Sequence, residues 1–122
     1  MDRSTVAEFV VNLLNSSTIT HIMHLQTKSY SQHVALGDFY DGIIGLTDSF
    51  AEAYQGAYGV IESYPTPKST DKAPLEYLDG LCEYVEETRE KLPQDTQLQN
   101  IVDEIVALLD TTIYKIRRFT QA

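Results

Sequence analysis

The sequence predicts an all-α fold, a four-helix bundle built as one domain over residues 1–122. Three observations carry that reading. Apolar residues recur at spacings of three and four in four separate stretches. One Pro-rich polar segment, Tyr64-Pro65-Thr66-Pro67-Lys68-Ser69-Thr70-Asp71, divides the chain. No stretch shows the sustained alternation of a half-buried strand.

Residues 4–29 contain neither Pro nor Gly, and Val6, Phe9, Val10, Leu13, Leu14, Ser17, His21 and His24 fall on one helical face. A long first helix follows. Ser29, Tyr30 and Ser31 supply a turn and an N-cap for the second, expected over 32–63. That stretch holds Gly37, Gly42, Gly45, Gly56 and Gly59, five of the six glycines. Each glycine inside a helix costs about 0.5–1 kcal/mol relative to alanine, so repeated use points to close approach of another backbone. A third helix is expected over 74–92, with Pro74 in its first turn and a stripe of Leu75, Leu78, Leu81, Cys82 and Val85. Asp95 or Thr96 can cap the fourth, which runs to Phe119 with Leu98, Ile101, Ile105, Leu108, Thr112 and Ile116 on one side.

The chain carries a formal charge of −9, one cysteine and no tryptophan. Such acidity opposes binding to nucleic acid or an anionic membrane, since phosphate neutralisation needs clustered Lys and Arg. No apolar run approaches the roughly 20 residues that span a bilayer. The start, MDRSTVAEF, lacks the pattern of a signal peptide. A cytoplasmic location is expected, and Cys82 alone cannot make an internal disulfide. Cys82 reads as a packed core residue. Glu83, Glu86, Glu87 and Glu90 read as a solvated face.

The second helix carries the chemistry. His33, Gly37, Asp41, Asp48 and Glu52 share an arc of about 100°, while Asp38 is turned roughly 140° from His33. Imidazole with carboxylate suits iron, manganese or zinc. His33 and Asp48 are nevertheless about 22 Å apart along one helix, too far to share an ion within a chain. Two copies packed antiparallel about a two-fold axis between Gly42 and Ile43 would set His33 against Glu52 of the second copy and Gly37 against Asp48. Gly42 and Gly45 would then lie at the crossing.

His33-Val-Ala-Leu-Gly-Asp-Phe-Tyr-Asp followed by Thr47-Asp48-Ser49-Phe50-Ala51-Glu52 resembles the second helix of Dps-type mini-ferritins, a ferritin-like family. Ile22-Met23-His24-Leu25 is similar to that family's first-helix histidine, with Leu25 in place of its tryptophan, and Asp110 to Phe119 is similar to its last helix. The resemblance implies an up-down-down-up bundle with the Pro-containing crossover between helices 2 and 3. It further implies ferroxidase activity on iron at a centre shared between subunits of a homo-oligomer. His24 (or His21) and His33 would come from one subunit, Asp48 and Glu52 from the other, with Asp41 as a further carboxylate on the same face. Gly37 stands where the family has another carboxylate. The Lys-rich DNA-binding tail of many family members is absent, as is any E-x-x-H motif. The chain also looks like short ferritin-like proteins of bacteriophages, which implies host cytoplasm or virion. Gly37 at a ligand position, with the acidic surface, points to an alternative role as a ferritin-like scaffold without iron chemistry that binds a host protein or serves as a phage structural component.

Overall fold

A computed structural model describes residues 3–119. They form α1 (Arg3–Gln26), α2 (Tyr30–Tyr58), α3 (Pro74–Thr88) and α4 (Thr96–Phe119), with a single 3-10 turn at Arg89–Lys91. The all-helical expectation holds, and among the described residues no strand occurs.

The helix ends follow local chemistry. Ser29 caps α2, its hydroxyl accepting from the Gln32 amide at 3.3 Å. The helix expected to reach residue 63 stops at Tyr58. Gly59 adopts φ +97°, a left-handed conformation that glycine enters without a Cβ clash, and its amide donates back to the Gln55 carbonyl at 2.8 Å. The third helix ends at Thr88 rather than at residue 92. There Arg89 turns to α4, donating to Gln99 Oε1 at 3.0 Å and to Asp103 at 2.7 Å. The Asp95 carbonyl accepts from the Leu98 and Gln99 amides to start α4.

Contacts between ends fix the course of the chain. Arg3 donates to the carbonyls of Tyr58, Gly59 and Val60, so α2 returns antiparallel to α1. The crossover passes back along α1, where Asn15 donates to the Lys68 carbonyl at 2.7 Å, and Lys72 to Pro74 reach Met23 and Gln26 near the end of α1. Tyr58 donates to Asp95 Oδ1 at 2.6 Å before α4, and Ser31 donates to the Phe119 carbonyl at 2.8 Å at its close.

All four helices share one hydrophobic core centred on Phe9, Leu13, Phe39, Phe50, Tyr54, Leu78, Leu98 and Ile105. Phe9 and Phe50 meet edge to face at 5.1 Å. Fully burying one such ring contributes about 1.5–3 kcal/mol. Two expectations for α1 are corrected. Leu14 and His21 face outward, while Ala7, Val11, Ser16, Thr20 and Met23 are buried instead. The physical reason is that α1 packs against α2 on one side and against α3 and the crossover on another, which widens its buried arc beyond a single stripe. Phe119 is exposed rather than packed, and Leu75 and Cys82 are half-buried. Among the described residues no helix is long and apolar enough to cross a membrane.

Candidate metal centre

His24 lies near the end of α1 and His33 in the first turns of α2, on either side of the tight connection at residues 27–29. The two imidazoles clasp each other's backbone. His24 Nδ1 is 2.6 Å from the His33 carbonyl, and His33 Nδ1 is 2.7 Å from the His24 carbonyl. A carbonyl can only accept, so each Nδ1 carries the proton. In the neutral rings Nε2 is therefore left with its lone pair on both histidines. The clasp also has a structural role, because the His24 carbonyl belongs to the last turn of α1, whose carbonyls lack helical partners. The rings stack at 3.6 Å with 16° between planes.

Gly37 makes this approach feasible. A Cβ there would lie 3.2 Å from Cε1 and 3.3 Å from Nδ1 of His24. The position at which the resemblance puts a further carboxylate is thus the floor on which the His24 ring rests. Around the pair, His21 stacks on Tyr40 at 4.0 Å and 8°, Tyr40 meets His24 edge-on at 5.2 Å, and Tyr30 faces His33 at 6.2 Å. Tyr30 carried no signal in the sequence as a neighbour of the site. Tyr54, further along this helix, is a core residue.

The carboxylates stand apart from the histidines. Asp41, Asp48 and Glu52 are exposed and form neither ion pair nor hydrogen bond among the described residues. Asp38 points to α4, 3.9 Å from Lys115 Nζ. Among the described residues of a single chain, no three His, Cys, Asp or Glu side chains gather as a metal-binding group. Gly42 has an intrachain reason for being glycine, since a Cβ would come within 3.1 Å of Leu108 Cδ2 on α4. Gly45 faces open space.

Away from the histidines, Cys82 donates to Asp110 Oδ1 at 3.7 Å. Burial, helped by the charges of Glu86, Asp110 and Asp79, pushes its thiol up to about 11. It is therefore a poor thiolate and a poor metal ligand at neutral pH.

These features define a four-helix protein with a paired-histidine corner and a separate row of carboxylates on α2. The chain belongs to DUF5856, a family of unknown function, which it matches over residues 24–116. That span includes His24, His33, Asp48 and Glu52 and leaves out His21. No curated protein and no solved structure matches the chain.

Proposed function

We propose that the protein is a Dps-like iron-binding protein whose centre is completed between two copies of the chain, with ferrous iron as the substrate of a ferroxidase. The observation that carries this reading is the reciprocal histidine clasp. Metal-ligating histidines characteristically donate their other ring N–H to a carbonyl or carboxylate, which fixes the tautomer and aims the free nitrogen. Both His24 and His33 have that arrangement. Asp48 and Glu52, exposed and without partners, would supply the oxygen ligands from the second copy, and Asp41 a further one. Electrons leaving ferrous iron would pass to dioxygen or peroxide. The chain's own part is to bind, to orient the imidazoles and to hold carboxylates at the shared edge. Manganese or zinc suits the same donors. The end-to-end contacts are those expected of an up-down-down-up, ferritin-like course with the crossover between α2 and α3.

Anaerobic ferrous titration followed by oxidant, read by near-ultraviolet absorbance, tests the reading beside the mass in solution. The parent should bind iron and oxidise it as a dimer or larger. His33→Ala and Glu52→Ala should each abolish the signal, and equal behaviour of all three proteins would sink the proposal.

A second reading is favoured by Gly37 alone. With its space taken by His24, the centre is one carboxylate short, as in a ferritin-like scaffold that has given up chemistry for a protein partner. A melting temperature unmoved by iron, manganese and zinc would select it, because a ligand that binds the native state stabilises it.

A further inference from the structure

Where α4 finishes beside the start of α2, a groove of about 410 Å³ runs between the two helices. Tyr30, Val34 and Ala35 form one wall, and Lys115 and Phe119 the other. Ser31 donates to the Phe119 carbonyl at 2.8 Å, which fixes the two walls to each other. Three observations say what this groove takes.

The first is that its walls are apolar and open. Tyr30 is 80% exposed, more than any other large apolar side chain among the described residues, and Phe119 is 55% exposed. Val34 and Tyr114 are exposed as well, and the Tyr114 and Phe119 rings meet edge to face at 5.4 Å. None of the four belongs to the core. A contiguous exposed apolar surface rimmed by polar groups marks an interaction site.

The second is shape. Both walls are helices, and their ends pair so that α2 and α4 run antiparallel. The seam between them stays open on its outer side. A third helix laid in such a seam inserts side chains spaced at i, i+3 or i+4, and i+7. A groove of this size takes about two or three large apolar side chains.

The third is charge. At 100° per residue Tyr114, Arg118, Lys115 and Phe119 share an arc of about 140° on α4, so two cations alternate with two rings. Arg117 is engaged elsewhere, 2.8 Å from Asp79 on α3. Lys28 stands two positions before Tyr30. Among the described residues Arg118 and Lys28 form no ion pair, and Lys115 meets Asp38, the one carboxylate lining the groove, only at 3.9 Å. In a chain of net −9 this groove is edged mainly by cations. Cations also suit the end of a helix, but the helix dipole gives no reason for open aromatic rings beside them.

We propose that this groove docks an acidic amphipathic helix of a partner protein. Its apolar anchors lie between Tyr30, Val34 and Phe119, and its carboxylates face Lys115, Arg118 and Lys28. The buried anchors carry the affinity, and the charges at the rim set partner choice and association rate. This surface rests on neither reading of the histidine centre.

The test titrates the metal-free full chain into a synthetic helical peptide of about 15 residues, with Leu and one Trp on its apolar face and Glu on the other. The chain has no tryptophan, so the emission reports the peptide alone. That emission should shift to the blue and saturate, and binding should weaken as salt is raised. A peptide with Lys in place of every Glu should bind roughly tenfold more weakly or worse. Phe119→Ser should weaken binding roughly tenfold or more while the melting temperature holds, since the ring lies outside the core. The double variant Lys115→Glu, Arg118→Glu should exchange the preference, admitting the Lys peptide and rejecting the Glu peptide. No saturation, equal affinity for the two peptides, or indifference to Phe119→Ser would each overturn the proposal. A mass that doubles with concentration in the parent and not in Phe119→Ser would overturn it in favour of a second copy. Peptide binding that appears only after residues 120–122 are removed would overturn it in favour of the chain's own end.

Discussion

The two ends of α2 hold the two halves of the candidate centre in opposite states. At the N-terminal end His33 is fixed through its Nδ1, its ring face and its carbonyl, all by residues of the same chain. At the C-terminal end Asp48 and Glu52 stand in solvent with nothing to hold them. One half is preorganised and the other is not. An imidazole pair can be satisfied by carbonyls inside a monomer, whereas adjacent carboxylates on one face repel each other until a cation arrives.

Breaking the preorganised end should have the largest effect. Gly37→Leu drives a side chain into the His24 ring and should cost about 1–3 kcal/mol, seen as a fall in the denaturant midpoint. His24→Ala removes one arm of the clasp and leaves the His33 imidazole as the sole link, with an expected loss of about 0.5–1.5 kcal/mol by the same assay. At the other end, Glu52→Gln should raise metal-free stability slightly, by about 0.2–0.5 kcal/mol, as it removes an i, i+4 repulsion with Asp48. A fall as large as that for His24→Ala would show that Glu52 already has a partner within the chain. In metal binding the two ends should count equally, with Glu52→Gln losing as much affinity as His33→Ala.

The bundle as a whole has a pH response independent of this comparison. Burial holds the Cys82 thiol at about 11 and the Tyr77 phenol at about 12, both above their ordinary values of 9.0 and 10.0. A raised acid favours the folded state below its unfolded pKa and loses that contribution as pH climbs to the folded value. Thermal melts should therefore be flat to about pH 9 and decline between about 9 and 12. Cys82→Ser should soften the first part of that decline.

The helices and the crossover were legible because periodicity and Pro placement depend on neighbours in sequence. Gly37 was half legible, for a glycine inside a helix does announce close approach. That the approaching group is an imidazole rather than a backbone depends on where α1 ends, which residues near 37 do not encode. The outward turn of Leu14 and His21 was invisible for a related reason, as the buried arc of α1 is set by two neighbouring surfaces and not by its own pattern. Gly59 reads in sequence as one more helix glycine, but its positive φ makes it the terminator. Asp48 and Glu52 have only their spacing to His33 to single them out, since a single chain does not bring them to the histidines.

Arg3 has a consequence for the order in which the chain becomes rigid. Its guanidinium bonds the last carbonyl of α2 and the two that follow and lies 5.8 Å over the Tyr54 ring, although 55 positions separate it from Tyr58. A contact so distant in sequence can form only after the hairpin of α1 and α2 has closed. The final turn of α2 is therefore clamped last and should open first. Amide hydrogen exchange near Tyr58 then reports hairpin closure, and Arg3→Ala should accelerate it there while exchange around His33 stays slow.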